Sequence, residues 1–177
     1  YEKKKSKTET IRLSFSLATS DVPELKSVAE RLKTDWEKIG ASVELKVFES
    51  GDLNQNVIRP RKYDAILFGE IVGRDSDLFA FWHSSQRNDP GLNIAMYTNS
   101  TADKLLEDMR RATDSEKRAV AYEKFNVEIA KDMPAIFLYA PEFIYILPQK
   151  IKGMAVGTIT VPAERFLNIH EWYIDTD

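Results

Sequence analysis

The sequence predicts an α/β protein built on a mostly parallel sheet with flanking helices, and three observations predict it. Residues 12–18 alternate, with Leu13, Phe15 and Leu17 on one face and Ser14 and Ser16 on the other, which is the period of a half-buried strand. A stretch of helical period follows, and residues 42–48 then alternate again, Val43, Leu45 and Val47 against Ser42, Glu44 and Lys46. Strand, helix and strand with a crossover of this length make a parallel βαβ unit, right-handed in nearly all proteins.

The helix between the strands has its own signals. Asp21 followed by Glu24 has the form of a capping box, Pro23 suits a first turn, and Leu25, Val28, Ala29, Leu32, Trp36 and Ile39 recur at spacings of three and four. Gly40 stops it. Residues 64–68, Asp-Ala-Ile-Leu-Phe, are continuously apolar after the acid and end at Gly69, as a central parallel strand covered on both faces should read. From Glu70 to Thr98 no period is sustained. That segment mixes acids (Asp75, Asp77, Asp89), aromatics (Phe79, Phe81, Trp82, Tyr97) and the turn Asp89-Pro90-Gly91, and loops of this length are usually functional or carry short elements of their own.

Two helices come next. One opens at Ser100 with Asp103 at the third helical position and runs through Leu105, Leu106 and Met109; the other opens near Asp114 and turns Ala119, Tyr122, Phe125 and Ile129 inward. Met133-Pro134 ends the second, and two short aromatic strands are expected at Ala135 to Tyr139 and Phe143 to Leu147. Beyond Lys150 the pattern thins to Gly153, Gly157, Pro162 and a late apolar cluster of Phe166, Leu167, Ile169, Trp172 and Ile174.

Composition narrows the function. The chain has 177 residues, 25 Lys plus Arg against 28 Asp plus Glu, a net charge of −3 and 43% hydrophobic residues, the profile of an ordinary globular protein. Such a chain can bury roughly 70% of its unfolded surface. The absence of cysteine excludes disulfides, thiolate nucleophiles and Cys-type metal sites. An acidic balance argues against nucleic acid, which demands a basic face, and no run approaches the ~20 apolar residues of a membrane span. The start, Tyr1-Glu2-Lys3-Lys4-Lys5-Ser6-Lys7, lacks both an initiator Met and the apolar stretch of a signal peptide. It reads as an internal cut in a longer protein, with any export signal or lipid anchor expected in the missing part.

In an open parallel sheet, ligands bind outside the carboxyl ends of the strands. Those ends here are Ala18-Thr19-Ser20-Asp21 and the loop beginning at Gly69, expected on the same edge. A hydroxyl-bearing helix start favours anions and Asp75 and Asp77 favour cations, so a zwitterion would fit. Bland roles compete: acids flanking Ser76 commonly cap backbone amides, and Phe79 and Phe81 can simply fasten the loop. Trp82 is more informative, because a buried indole needs a partner. His83-Ser84-Ser85 beside two aspartates suggests a catalytic triad, yet no nucleophile-elbow glycines accompany it. His83 and His170 show no metal-ligand spacing, and no glycine-rich phosphate loop is present. Binding is the expectation, with no enzymatic activity, no metal and no cofactor.

The order of the pieces carries more than any one of them. Residues 64–69, then 75–85 (Asp-Ser-Asp-Leu-Phe-Ala-Phe-Trp-His-Ser-Ser), then 93–99 (Asn-Ile-Ala-Met-Tyr-Thr-Asn) resemble the family 5 extracellular solute-binding proteins, the oligopeptide-, dipeptide- and nickel-binding components of ABC importers. The resemblance continues through Asp103-Lys104-Leu105-Leu106, the helix Arg118 to Ala130 and Asp132-Met133-Pro134-Ala135-Ile136-Phe137-Leu138-Tyr139 to Ile151-Lys152-Gly153, and also covers Leu32 to Val43. It implies a partial C-terminal lobe of a periplasmic-binding-protein-like II fold: residues 1–10 a linker or cut end, 11–150 the lobe, and 151–177 an extension that returns toward the missing first lobe. Without that lobe the extension's apolar cluster is expected to pack differently on this domain, on a neighbouring molecule, or loosely.

The resemblance further implies a receptor that captures peptides or similar small solutes by closure of two lobes and hands them to a membrane permease. It would act as a monomer on the extracellular face or in the periplasm of a bacterium, anchored through a lipoprotein signal. The family's acid for a peptide amine lies just after the third strand, where Asp75 or Asp77 is the nearest match. Many peptide-binding members have tryptophan where this chain has Glu70, which adds negative charge and favours a more cationic ligand. Trp82 and Tyr97 would supply apolar walls, Asn93 would serve a ligand carbonyl or brace the loop, and His83 completes the candidate set. The competing reading is an intracellular α/β protein, either hydrolase-like through His83 or an interaction domain presenting the aromatics of Phe143 to Leu147.

Overall fold

The strand that leads into the first long helix, and not the apolar run at 64–68, takes the middle of the sheet. The computed structural model describes residues 2–6, 9–73, 77–155, 157 and 159–175, with only the backbone of residues 2–12, and the chain forms two units. One comprises Tyr1–Glu70 with Ser85–Ile94, the other Ile71–Ser84 with Ala95–Asp177.

In the first unit, β1 (Glu2–Ser6) and β2 (Glu9–Arg12) pair antiparallel, where the sequence suggested a linker or cut end. Ladder bonds are made by the main chain, so a lysine-rich stretch can form them. β3 (Ser14–Ser20) is joined through α1 (Pro23–Lys38) to β4 (Ser42–Phe48), and the two strands run parallel from Ser14 opposite Ser42 to Ser20 opposite Phe48. The predicted βαβ unit is present. β5 (Ala65–Ile66) pairs with the other side of β3 through only two residues, giving the order β4-β3-β5. The run 64–68 is therefore an edge, and β3, buried from Ser16 to Ser20, is central. Its polar residues mislead because they are satisfied internally. The Ser16 amide and hydroxyl both donate to Asp64 Oδ2, at 2.9 and 2.8 Å, and the Thr19 hydroxyl donates to the Leu67 carbonyl at 3.2 Å. Buried hydroxyls with partners cost little.

The expected capping box does not form. Val22 is the N-cap of α1, Pro23 opens it without an amide to be capped, and the Asp21 amide donates to the Phe48 carbonyl at 2.7 Å. Gly40 ends the turn in the left-handed region, φ 87°, which favours glycine. Successive residues of β3 then serve opposite faces. Leu17 packs with Val43, Leu67 and the α1 residues Leu25, Ala29 and Trp36, whose ring meets Phe15 edge-on at 5.3 Å. Ala18 packs with Leu53, Val57 and Ile58. These last lie on a wide π turn (Leu53–Ile58) that continues α2 (Ser50–Asp52), a helical segment the sequence pattern did not announce. Its start is fixed by the Glu49 carboxylate, which accepts the amides of Gly51 and Asp52.

In the second unit, α3 (Phe79–Trp82), α4 (Ser100–Arg111) and α5 (Ser115–Asp132) share one core of Trp82, Tyr97, Ala102, Leu106, Met109, Ala121, Phe125 and Ile129. α4 is capped by Asn99, whose Oδ1 accepts the amides of Thr101 and Ala102, so Ser100 is already helical. Asp114 caps α5 as predicted. The inward face of α5 steps by four through Ala121, Phe125 and Ile129, leaving Ala119 and Tyr122 exposed.

The two strands expected at 135–139 and 143–147 do not form. The chain leaves α5 at Met133 with φ 47° and continues without a ladder, Ile144 and Ile146 being 80% and 87% exposed. A strand requires a neighbour, and none of the described residues pairs with this stretch. β6 (Ile151–Lys152) and β7 (Tyr173–Ile174) pair antiparallel. The late cluster is split: Phe166 meets Tyr145 and Trp172 at 6.4 and 5.8 Å between centroids, while Leu167, Ile169 and Ile174 stay exposed. The Arg165 guanidinium lies 4.2 Å over Phe166 and 4.8 Å over Tyr145, so the extension folds on the aromatic stretch of its own unit. Among the described residues no helix is long and apolar enough to cross a membrane.

Candidate functional site

At the carboxyl edge of the sheet in the first unit, β3 and β5 end side by side, the Leu67 amide donating to the Ala18 carbonyl at 2.8 Å. Thr19, Ser20 and the loop from Gly69 therefore leave the same edge, as expected of a parallel pair. The hydroxyls there are not open to a ligand. Thr19 and Ser20 are buried, the first spent on Leu67 and the second accepting the Val22 amide. Glu70 stands beyond them as an exposed residue, and burial of its carboxyl among protein atoms pushes it up to about 7. Neighbouring protein atoms crowd one side of a group that still reaches solvent on the other.

Loop 85–94 of the same unit is built around Arg61, a residue the sequence pattern did not single out. Its backbone sits in the left-handed region, φ 56°, and its guanidinium donates to three carbonyls: Arg87 at 2.9 Å, Ile58 at 2.6 Å and Gly91 at 2.6 Å. Gly91 is required by close approach, because a Cβ there would stand 2.1 Å from the Gln86 carbonyl oxygen. Asn93 is fully buried, and its backbone amide donates to that same oxygen at 3.0 Å. Arg59 makes a two-pronged pair with Asp89 at 2.9 and 3.1 Å.

In the second unit the loop's acids and aromatics are tied to α4. Asp75 lies outside the described residues. Asp77 uses both oxygens: Oδ1 accepts the Phe79 amide at 3.2 Å, and Oδ2 takes Arg110 Nε and Nη2 at 2.9 and 2.8 Å. The Arg110 guanidinium also lies 4.2 Å over the Phe79 ring. On the ring's stacking partners, His83 lies 4.1 Å away at 18°, its Nε2 facing Glu107 at 3.7 Å and Asp103 at 3.9 Å. The triad arrangement is not built, because the Ser84 hydroxyl donates to Asp103 at 2.6 Å while the Ser84 amide donates to that carboxylate's other oxygen. Trp82 and Tyr97 are buried in the core, 6.4 Å apart edge to face. The Tyr97 hydroxyl donates to Asp132, and burial first, then that carboxylate, holds its pKa well above the usual phenol range.

The structure thus gathers Asp77, Trp82, His83 and Tyr97 into one unit, with Trp82 and Tyr97 serving as packing and Asp77 remaining partly open. Two surface hollows are lined by other residues: one of about 490 Å³ by Gln55, Asn56, Arg59, Pro60 and Asp89, the other of about 580 Å³ by Pro141, Phe143, Tyr145, Met154 and Arg165 among others. Neither includes a residue of the expected ligand-binding set, although Asp89 lines the first and the aromatics Phe143 and Tyr145 line the second. Among the described residues no three His, Asp or Glu side chains converge as a metal site would need.

The sequence and structural neighbours of the chain are the family 5 peptide and nickel solute-binding proteins of ABC transporters. The chain is 28% identical over 165 residues to the oligopeptide-binding protein AppA of Bacillus subtilis (strain 168), covering 92% of this chain and 30% of that protein. The structure of Bacillus subtilis AppA in complex with a nonapeptide superposes with a TM-score of 0.73 at 26% identity, over 98% of this chain and 35% of that one. NikZ from Campylobacter jejuni, solved in complex with Ni(L-His), matches with a TM-score of 0.67 at 23% identity over 97% and 36% of the two chains, a likeness of fold alone. No family model matches the chain. The chain spans about a third of the length of the relatives it matches.

Proposed function

We propose that this chain belongs to the substrate-binding component of an ABC importer, which captures oligopeptides or a similar small solute by closure of two lobes and delivers it to a membrane permease. The observation that carries this reading is the likeness to an oligopeptide-binding protein along almost the entire chain, in sequence and in fold. The protein works as a monomeric receptor rather than an enzyme, without metal or cofactor. It stands on the extracellular face or in the periplasm of a bacterial cell, held by a lipoprotein anchor.

The acids that follow the third strand, Glu70, Asp75 and Asp77, recognise the positive end of the ligand. Trp82, His83 and Tyr97 in the one unit and Asn93 in the other act by holding the loops of their own unit, a role that their burial or near-burial supports. A ligand shifts the open form to the closed one only by its excess affinity for the closed state, and a nearly complete shift takes about 5.5 kcal/mol. One exposed ion pair supplies less than this, while several buried hydrogen bonds with one paired terminus suffice.

Native mass spectrometry of the full-length protein as purified tests the proposal. The expected result is a ladder of short peptides released on denaturation. A single small mass points instead to a metal chelate or a sugar, and a cytoplasmic protein without bound mass refutes the receptor role.

A further inference from the structure

Asp77 is not a free carboxylate waiting for a cation. Its Oδ2 already holds two donors of Arg110, and Arg110 is held in turn at 4.2 Å over the ring of Phe79, the first residue of α3, whose amide donates to Asp77 Oδ1. We infer that Arg110 is a resident counter-ion that competes with a ligand amine for Asp77 and thereby sets how strongly the protein discriminates in favour of cationic ligand ends. The inference rests on the reading of Asp77 as an amine-capturing acid.

The geometry makes the competition real and limited. Both side chains are about half open, 49% for Arg110 and 41% for Asp77, so an incoming ammonium group reaches the carboxylate from solvent and needs only to displace a screened pair. Arg110 loses little when displaced, because its planar guanidinium keeps the Phe79 face. The Phe79 amide keeps Oδ1 in place throughout, so the carboxylate stays oriented while its partner changes. An exposed pair of this kind biases an equilibrium by about two- to fivefold, which is the size of effect that tunes a broad-specificity receptor without abolishing binding.

The test measures retention of a mixed tripeptide pool with free amino termini, and of the same pool N-acetylated, by the full-length protein and by Asp77→Asn, Arg110→Gln and Arg110→Lys. Asp77→Asn is expected to erase the preference for free amines. Arg110→Gln is expected to strengthen free-amine binding about two- to fivefold, with acetylated peptides unchanged and the gain shrinking as salt rises. Arg110→Lys, which keeps the charge but not the two-pronged grip, is expected to fall between, and it carries the test where Arg110→Gln lowers the folded fraction in a thermal melt. A preference that Asp77→Asn abolishes but neither Arg110 variant increases overturns the inference and leaves the amine-capture reading standing. A preference unaltered by Asp77→Asn, or no retention of either pool, overturns both.

Discussion

The Tyr97 hydroxyl donates to Asp132 Oδ2 across 2.7 Å, tying the segment that leads into α4 to the last residue of α5. Asn99 Nδ2 donates to the same oxygen at 2.7 Å while its Oδ1 caps α4. These two donors, Asn99 first and Tyr97 second, hold the Asp132 carboxyl below its ordinary value. A depressed folded-state value stabilises above the unfolded one and is lost as pH falls through the depressed one. Tyr97→Phe is therefore expected to lower stability at neutral pH, with the gap to the parent chain closing as pH drops below 3.8. Urea unfolding of both proteins between pH 7 and pH 2.5 checks this, and a gap that is constant with pH assigns the loss to packing alone.

Phe125 and Leu106 are the largest fully buried side chains where α5 meets α4. Truncating Phe125 to Ala removes its transfer energy and leaves a cavity, at an expected cost of about 3–5 kcal/mol. Tyr122→Ala, one position from the buried Ala121 but facing solvent, is expected to stay within about 0.5 kcal/mol. Comparing the two by chemical denaturation tests the inward face found here against the one the spacing suggested; equal losses would return Tyr122 to the core.

That contrast shows what periodicity can carry. The βαβ unit was legible because Leu17 and Val43 face one helix with clear alternation, and Asp114 was legible as a cap because its side-chain chemistry is local. The centre of the sheet was not, since Ser16 and Thr19 look like solvent-facing residues until Asp64 and the Leu67 carbonyl, 48 positions away, are brought to them. The same limit applies to 135–147, where aromatic and β-branched residues announce a strand but pairing depends on a neighbour the pattern does not contain. At the candidate site the acids were visible as acids. That Asp77 is engaged by Arg110, 33 positions on, was visible only in the fold.

Arg61 organises loop 85–94 by giving its guanidinium to three backbone carbonyls from a backbone conformation that few non-glycine residues adopt. Arg61→Ala leaves those carbonyls short of a charged donor, at an expected cost of about 1.5–3 kcal/mol. The loss should be local first. Hydrogen exchange is expected to quicken at the amides of Gly91 and Asn93 before those of β3, because the former close the loop that Arg61 holds. Uniform acceleration across β3 and the loop would show instead that Arg61 stabilises the unit as a whole.

Glu70 gives the proposed receptor a dependence on pH. Its carboxyl is pushed from 4.5 to about 7, so the folded protein holds that proton more tightly than the unfolded chain does. The sign follows for stability and binding alike. As pH rises from 4.5 through 7, the cost of charging Glu70 in the fold grows and its contribution to stability falls. Over the upper part of that range the negative charge becomes available to a cationic ligand. Affinity of the full-length protein for a lysine-containing peptide is expected to rise between pH 6 and pH 8, and Glu70→Gln is expected to flatten that rise while leaving affinity at pH 6 nearly unchanged. Isothermal titration of both proteins at the two pH values is the measurement. A parent profile as flat as that of the variant would show that Glu70 does not face the ligand, and would confine cation recognition to the acids that follow it.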